Sequence, residues 1–238
     1  MNRKDLNAIE LTEIQKQIIM GTLLGDGYIA IEKSSINPHV CITHSIKQKE
    51  YCEWIHLNLS NLCPSKPKVS VCSDGTGKQH QKITFSTRRL ICLKPIYDCV
   101  IVNGRKTITE KWIDSIYHPI SLALWYLDDG FLFNDMYKSR NMQFALGDRT
   151  SEESELLQEW LKCKFGISSE SRNRGVIAKN GERIKDLFIT EEESMIKLKS
   201  VIEPYVIPSM KYKIDLYFDY RPSLQIVSFQ ELYKKSHM

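Results

Sequence analysis

The chain of 238 residues lacks any run of about eighteen apolar residues that would cross a bilayer. Its first fourteen residues carry Arg3, Lys4, Asp5, Glu10 and Glu13 without an apolar stretch, which argues against a secretory signal. The acids also argue against a transit peptide, although a protein encoded inside a mitochondrion or chloroplast needs none. An intracellular setting away from membranes is expected. Glycine (11) and proline (8) are too few to feed long disordered tracts. Seven scattered cysteines, from Cys41 to Cys163, include no CxxC pair, so reduced structural thiols are expected rather than a disulfide framework. The histidines are equally dispersed: His39 and His44 belong to no HxxxH or Cys/His cluster, and zinc is not expected. There is no Walker loop and no GxGxxG, which leaves nucleotide hydrolysis without a motif. Charge of one sign is lacking too: 33 Lys and Arg against 29 Asp and Glu leave +4, too mild to identify a nucleic-acid partner.

What is present is an ordinary globular balance, 42% hydrophobic and 26% charged, with enough length for one large domain or two of about 100 residues. Thr12 and Gln15 make a capping box before an apolar helix from about Glu13 to Gly25. An alternating strand follows at Val40 to Lys47, then a helix over 48–62, strands at Lys68–Cys72 and Lys82–Thr87, and a helix over Arg89–Tyr97. From Pro119 the order starts again. A short apolar helix ends at Asp128-Asp129-Gly130, a strand runs from Asn141 to Leu146, and Thr150 with Glu153 caps a helix ending near Gly166. Strands at Ser168–Arg172, Val176–Lys179 and Lys185–Ile189 precede a helix at about Glu192–Val201.

Helix, strand, helix, strands, helix thus occurs twice, with the Asp-Gly helix endings at Asp26 and Asp129 about one hundred residues apart. Near the end of each half an apolar stretch leads to a lysine, Lys106 and Lys213. The pattern implies an old duplication, with halves at 1–118 and 119–238. An aspartate at a helix C-terminus meets the negative end of the macrodipole, so two in equivalent places call for a functional reason. One Asp-Gly alone would be a solvated residue before a left-handed glycine cap. Gly21 and Gly25 allow close backbone approach on the first helix, and Ala123 is the comparably small apolar residue on the second. If the two helices pack together, Asp26 and Asp129 emerge side by side, where a hard divalent cation relieves their repulsion.

The segments Ile19-Met20-Gly21-Thr22-Leu23-Leu24-Gly25-Asp26-Gly27 and Leu122-Ala123-Leu124-Trp125-Tyr126-Leu127-Asp128-Asp129-Gly130 resemble the two motifs of monomeric LAGLIDADG homing endonucleases. The segments around Lys106 and Lys213 resemble the lysine-bearing stretches of intron-encoded, yeast-type members. The resemblance implies an α+β fold of two pseudo-symmetric αββαββα halves, antiparallel sheets forming a DNA-binding saddle, and the motif helices at the central interface. It implies that Asp26 and Asp129 ligate Mg²⁺ or Mn²⁺, that the Gly25 and Asp128 carbonyls also reach metal, and that Lys106 and Lys213 are basic catalytic residues. The implied partner is a long double-stranded DNA target, cut with a stagger across the minor groove by a monomer. Lys47, Lys82, Arg88, Arg140, Arg172 and Arg174 are the DNA-contact candidates. The motifs depart from the family pattern at Met20, Thr22 and Trp125, all packing positions. Two other readings use the same scaffold: a maturase that binds its host intron RNA, and a sequence-specific DNA-binding regulator. Neither needs the acidic pair.

Overall fold

The computed structural model describes residues 5–6, 8–33, 35–134, 140–177, 181 and 183–216. Helix α1 (Glu13–Leu24) opens on the expected capping box, with both reciprocal Thr12–Gln15 bonds formed. It is followed by β1 (Tyr28–Ala30), β2 (His39–Ser45), α2 (Lys49–Asn58), β3 (Lys68–Ser73), β4 (Gln79–Ser86) and α3 (Lys94–Val100). A two-stranded hairpin, β5 (Ile101–Val102) with β6 (Arg105–Lys106), and the short α4 (Glu110–Asp114) connect the halves. The second half repeats the series as α5 (Pro119–Asp129), β7 (Gly130–Asn134), β8 (Arg140–Ala145), α6 (Ser151–Phe165), β9 (Glu170–Ile177), β10 (Arg183–Ile189) and α7 (Glu192–Ile202). This is the duplicated αββαββα arrangement. Both sheets are antiparallel and share one order, β1-β2-β4-β3 and β7-β8-β10-β9.

Alternation decides which face of each sheet is buried. In β2, Val40, Ile42 and His44 are buried while Cys41 and Thr43 are half-exposed; in β8 and β10, Met142, Phe144, Leu187 and Ile189 face the helices. Trp125 stacks on Phe144 with ring centroids 4.0 Å apart, so the unusual motif residue serves as the second half's core anchor. The opposite faces stay open and mix polar side chains such as Thr43 and Thr84 with exposed aromatics, Tyr28, Phe131 and Phe133.

Several elements differ from expectation. β1 and β7 start directly behind the motifs, where glycine and brevity hide any alternation. The helix expected over Arg89–Tyr97 begins later, at Lys94, because Pro95 favours a first-turn position; a single 3₁₀ turn, Ile91–Leu93, precedes it. The strands expected on either side of Gly175 are one strand, β9. Gly175 (φ 78°) lies opposite a register shift at Arg183/Lys185, so it accommodates a bulge rather than ending the strand. Of the expected strand Val176–Lys179, residues 178 and 179 lie outside the described residues, as do 217–238 of the second half and 1–4 of the first.

The central contact is α1 against α5. A Cβ at Gly21 would lie 2.6 Å from the Ser121 Cα and carbonyl oxygen, and one at Gly25 would lie 2.5 Å from the Asp128 Cβ. The close approach expected from Gly21 and Gly25 is present, but Ser121, not Ala123, faces Gly21. Ser121 suits the place because its hydroxyl donates back to Gln17, its one proton shared between the backbone carbonyl (2.8 Å) and the side-chain oxygen (2.9 Å). Gln17 also spans the seam at its far end, donating to the Ser115 carbonyl and accepting from Tyr117 and His118 amides.

Candidate active site

The two motif helices run out together beside the sheets. Gly25 (φ −100°) and Gly130 (φ −75°) do not take the left-handed cap conformation. Glycine is needed at 130 for room instead: a Cβ there would come within 2.1 Å of the Tyr126 carbonyl.

The unpaired carbonyls at these helix ends are met by cations. Lys106, from β6, donates to the carbonyls of Gly25 (2.8 Å) and Gly27 (3.1 Å). Lys213, in the 3₁₀ segment Pro208–Lys213, donates to those of Leu127 (2.6 Å) and Asp128 (3.3 Å). Each lysine therefore offsets the negative dipole end of its own half's motif helix. The Gly25 and Asp128 carbonyls, expected to reach metal, accept from ammonium groups in this state. A third cation, Arg149, donates to the Leu24 carbonyl and, at 3.1 Å, to that of Leu146. Burial lowers the pKa of all three; Lys106, with Arg149 adding to the effect, falls to about 8.

The carboxylates divide by environment. Asp26 is half-exposed, with 51% of its side-chain surface accessible. Asp129 is half-buried, and its carboxyl is pushed up to about 6, mainly by burial; Arg149, Lys106 and Lys213 oppose that rise and Asp26 adds to it. The Asp128 side chain is fully buried. It accepts from the Tyr51 hydroxyl (2.8 Å) and from the Asp26 backbone N–H (3.2 Å), which ties the end of one motif helix to the other. Burial, reinforced by Asp26, holds its carboxyl well above the ordinary carboxylate value.

Sequence reasoning missed four side chains here: Tyr51, Arg149, His44 and Asp128. Arg149 could have been found through the repeat. Tyr28 pairs with Cys41 and Phe131 with Gln143, so Arg149 holds the second-half position of Lys47, and Leu146 that of His44. The reading of His44 as isolated in sequence is corrected by the fold, which sets its ring between Asp26 (Nδ1 to Oδ2, 3.6 Å) and Asp128 (Nε2 to Oδ1, 3.8 Å).

The DNA-contact candidates fall in three groups. Lys82 sits on the open face of β4 between Ser45 and Ser70, and Lys47 is exposed in the turn after β2. Arg172 and Arg174 share the open face of β9; Arg172 pairs with Glu170 and lies over the Phe188 ring (4.7 Å), and Arg174 pairs with Asp186 (2.8 Å). Arg88 donates to the carbonyls of Asn61 and Cys63, so it braces the connection from α2 to β3, and Arg140 is half-buried where β8 begins.

Residues 16–184 match the model of the LAGLIDADG DNA endonuclease family. The chain belongs to that family. The endonuclease is 26% identical over 204 residues to cytochrome b mRNA maturase bI2 of Debaryomyces hansenii, covering 84% of this chain and 73% of that protein. It is 25% identical over 209 residues to probable intron-encoded endonuclease 1 of Wickerhamomyces canadensis, covering 86% and 85%. It spans about half of the Saccharomyces cerevisiae maturase bI2, 51% of that protein's length. Its fold is similar to that of the homing endonuclease I-WcaI bound to its DNA recognition sequence, with a TM-score of 0.78, 23% identity and coverage of 90% and 92%. Both motif helices and both sheets come from the one chain. Among the described residues no helix is long and apolar enough to cross a membrane.

Proposed function

We propose that this endonuclease hydrolyses both strands of one long duplex target, using Mg²⁺ or Mn²⁺ held by Asp26 and Asp129, and leaves a staggered break. The observation that carries the reading is the doubled arrangement of one aspartate and one lysine at the ends of two helices in backbone contact. The donor set fits a hard dication: the Asp26 and Asp129 carboxylate oxygens come from the ends of two adjoining helices, and Asp26 adds to the rise that burial imposes on the Asp129 carboxyl. Such a cation supplies charge to the non-bridging phosphate oxygens and a more acidic water.

The chain's own groups do the rest. Asp26 and Asp129 bind, one from each half, taking residues 1–118 and 119–238 as those halves. Asp128 fixes the Asp26 backbone, and Arg149 fixes the last turn of α1 through the Leu24 carbonyl. Lys106 and Lys213 hold their ammonium groups beside the scissile phosphates, where they orient water or stabilise the leaving alkoxide. The open sheet faces, with Lys47, Lys82, Arg172 and Arg174, follow the duplex. Similarity to proteins described as cytochrome b mRNA maturases supports an organelle-encoded origin, and it supports a second reading in which the chain assists splicing of its host intron RNA.

Asp129→Asn tests the main reading. It removes a ligand charge while keeping shape, so cleavage of both strands of a supercoiled target plasmid should be lost and target binding kept. Wild-type cleavage by this variant would mean the site is misassigned.

A further inference from the structure

His44 is the residue for which the proposed reaction has no use. The alternation of β2 places it on the buried face, its side chain has 0% exposure, and its ring packs 5.0 Å from Tyr51. Neither ring nitrogen has a hydrogen-bond partner. Buried polar nitrogens are nearly always satisfied, so two orphans on one ring point to something that binds there. One ligand atom each from His44, Asp26 and Asp128 lies within 4.8 Å of the others. Donors about 2.1 Å from a tetrahedral zinc ion sit roughly 3.4 Å apart, so the cluster needs to contract by about 1 Å, and the half-exposed Asp26 carboxylate can supply that movement. Two carboxylates and one neutral imidazole balance a double positive charge.

We propose that His44, Asp26 and Asp128 form a site for a borderline transition-metal dication, of which Zn²⁺ is the type. It is separate in ligand set from the all-oxygen pair of Asp26 and Asp129. Nitrogen is the ligand that discriminates: imidazole suits zinc and its neighbours, whereas Mg²⁺ prefers oxygen and its own water. Among the described residues the site has no counterpart in the second half, which carries the buried Leu146 where the first has His44. Since it takes the Asp26 carboxylate, its occupation blocks Mg²⁺-driven cleavage. Binding rests on the three side chains alone, and the block rests on the proposed role of Asp26.

The test is a titration of the full chain, free of DNA, with Co²⁺ as a coloured stand-in, followed by displacement with Zn²⁺. One equivalent should give visible d–d bands without the near-ultraviolet charge transfer of a thiolate. Outer partners of a metal site are worth about 10–100-fold in affinity, so losing a direct ligand in His44→Leu or His44→Asn should weaken binding at least about tenfold. Equal affinity in a folded His44 variant, thiolate bands, or no binding to the wild type would overturn the site. In a parallel assay, Zn²⁺ should inhibit Mg²⁺-driven cleavage by the wild type at lower concentration than by His44→Asn. Binding that depends on His44 but does not inhibit would uphold the site and count against Asp26 as a catalytic ligand.

Discussion

Gly21→Ala is a small change with a large expected effect, because what it meets is backbone. The new Cβ would stand 2.6 Å from the Ser121 Cα and carbonyl oxygen, where carbon contacts settle at about 3.5–4.0 Å. Neither atom can rotate away, so α1 and α5 must part by about 1 Å. Overpacking of this kind costs about 1–3 kcal/mol. Parting the helices also strains the Ser121 hydroxyl's hydrogen bond to Gln17, worth about 1 kcal/mol. Alanine returns about 1 kcal/mol through helix propensity. The net is about 2 kcal/mol, or a fall in Tm of about 4–8 °C for a chain of this length. Function should suffer more than stability. The Asp26 amide to Asp128 carboxylate bond, already 3.2 Å, lies one turn further along the same seam, and a displacement of about 1 Å at a catalytic centre can cost about 10²-fold. Differential scanning calorimetry and plasmid cleavage measure the two effects. Gly21→Ala/Ser121→Gly should be no better than the single variant. An unchanged or raised Tm for Gly21→Ala, or recovery in the double variant, would refute the backbone contact.

Two further outcomes separate the roles assigned above. Lys106→Met and Lys213→Met should each slow one strand's nick more than the other's, so that open circles accumulate on a supercoiled target; equal slowing of both nicks would end the assignment of one lysine per half. Binding to the target duplex should weaken with salt at a log–log slope of about −0.9 per phosphate neutralised, and duplex carrying the insertion site should outcompete the host intron RNA. If the RNA wins at every salt concentration and no DNA is cut, the scaffold serves splicing instead.

The duplicated fold was legible in the sequence because each half repeats signals that act locally: the capping boxes at Thr12 and Thr150, the Asp-Gly helix endings, the alternation of β2 and β8. The lysines were legible through the repeat and their expected catalytic role only through resemblance, and the structure adds that they cap the motif helices. Other features depend on contacts between distant segments. His44 reads as one more residue in an alternating strand, and Tyr51 as one more aromatic on an amphipathic helix, until the fold brings both to Asp128. Asp128 itself stood beside the residue singled out and was credited only with its carbonyl. Ser121 is polar, so nothing in an apolar pattern marks it as the small partner of Gly21. Arg88 was read as a surface cation on charge alone, and its carbonyl partners come from a connection about twenty-five residues upstream.

The helix seam also bears on how such a protein changes its target. The separation between the two reacting centres is set where Gly21 meets Ser121 and Gly25 meets Asp128, with no loop between them to stretch. On the proposed reading, overhang length is therefore a property of the seam, while base preference belongs to the open faces of the two sheets. Residues on those faces can be exchanged, strand by strand, without altering where the two backbones are cut relative to each other. On that reading, variants selected for a new target should keep the same cohesive ends.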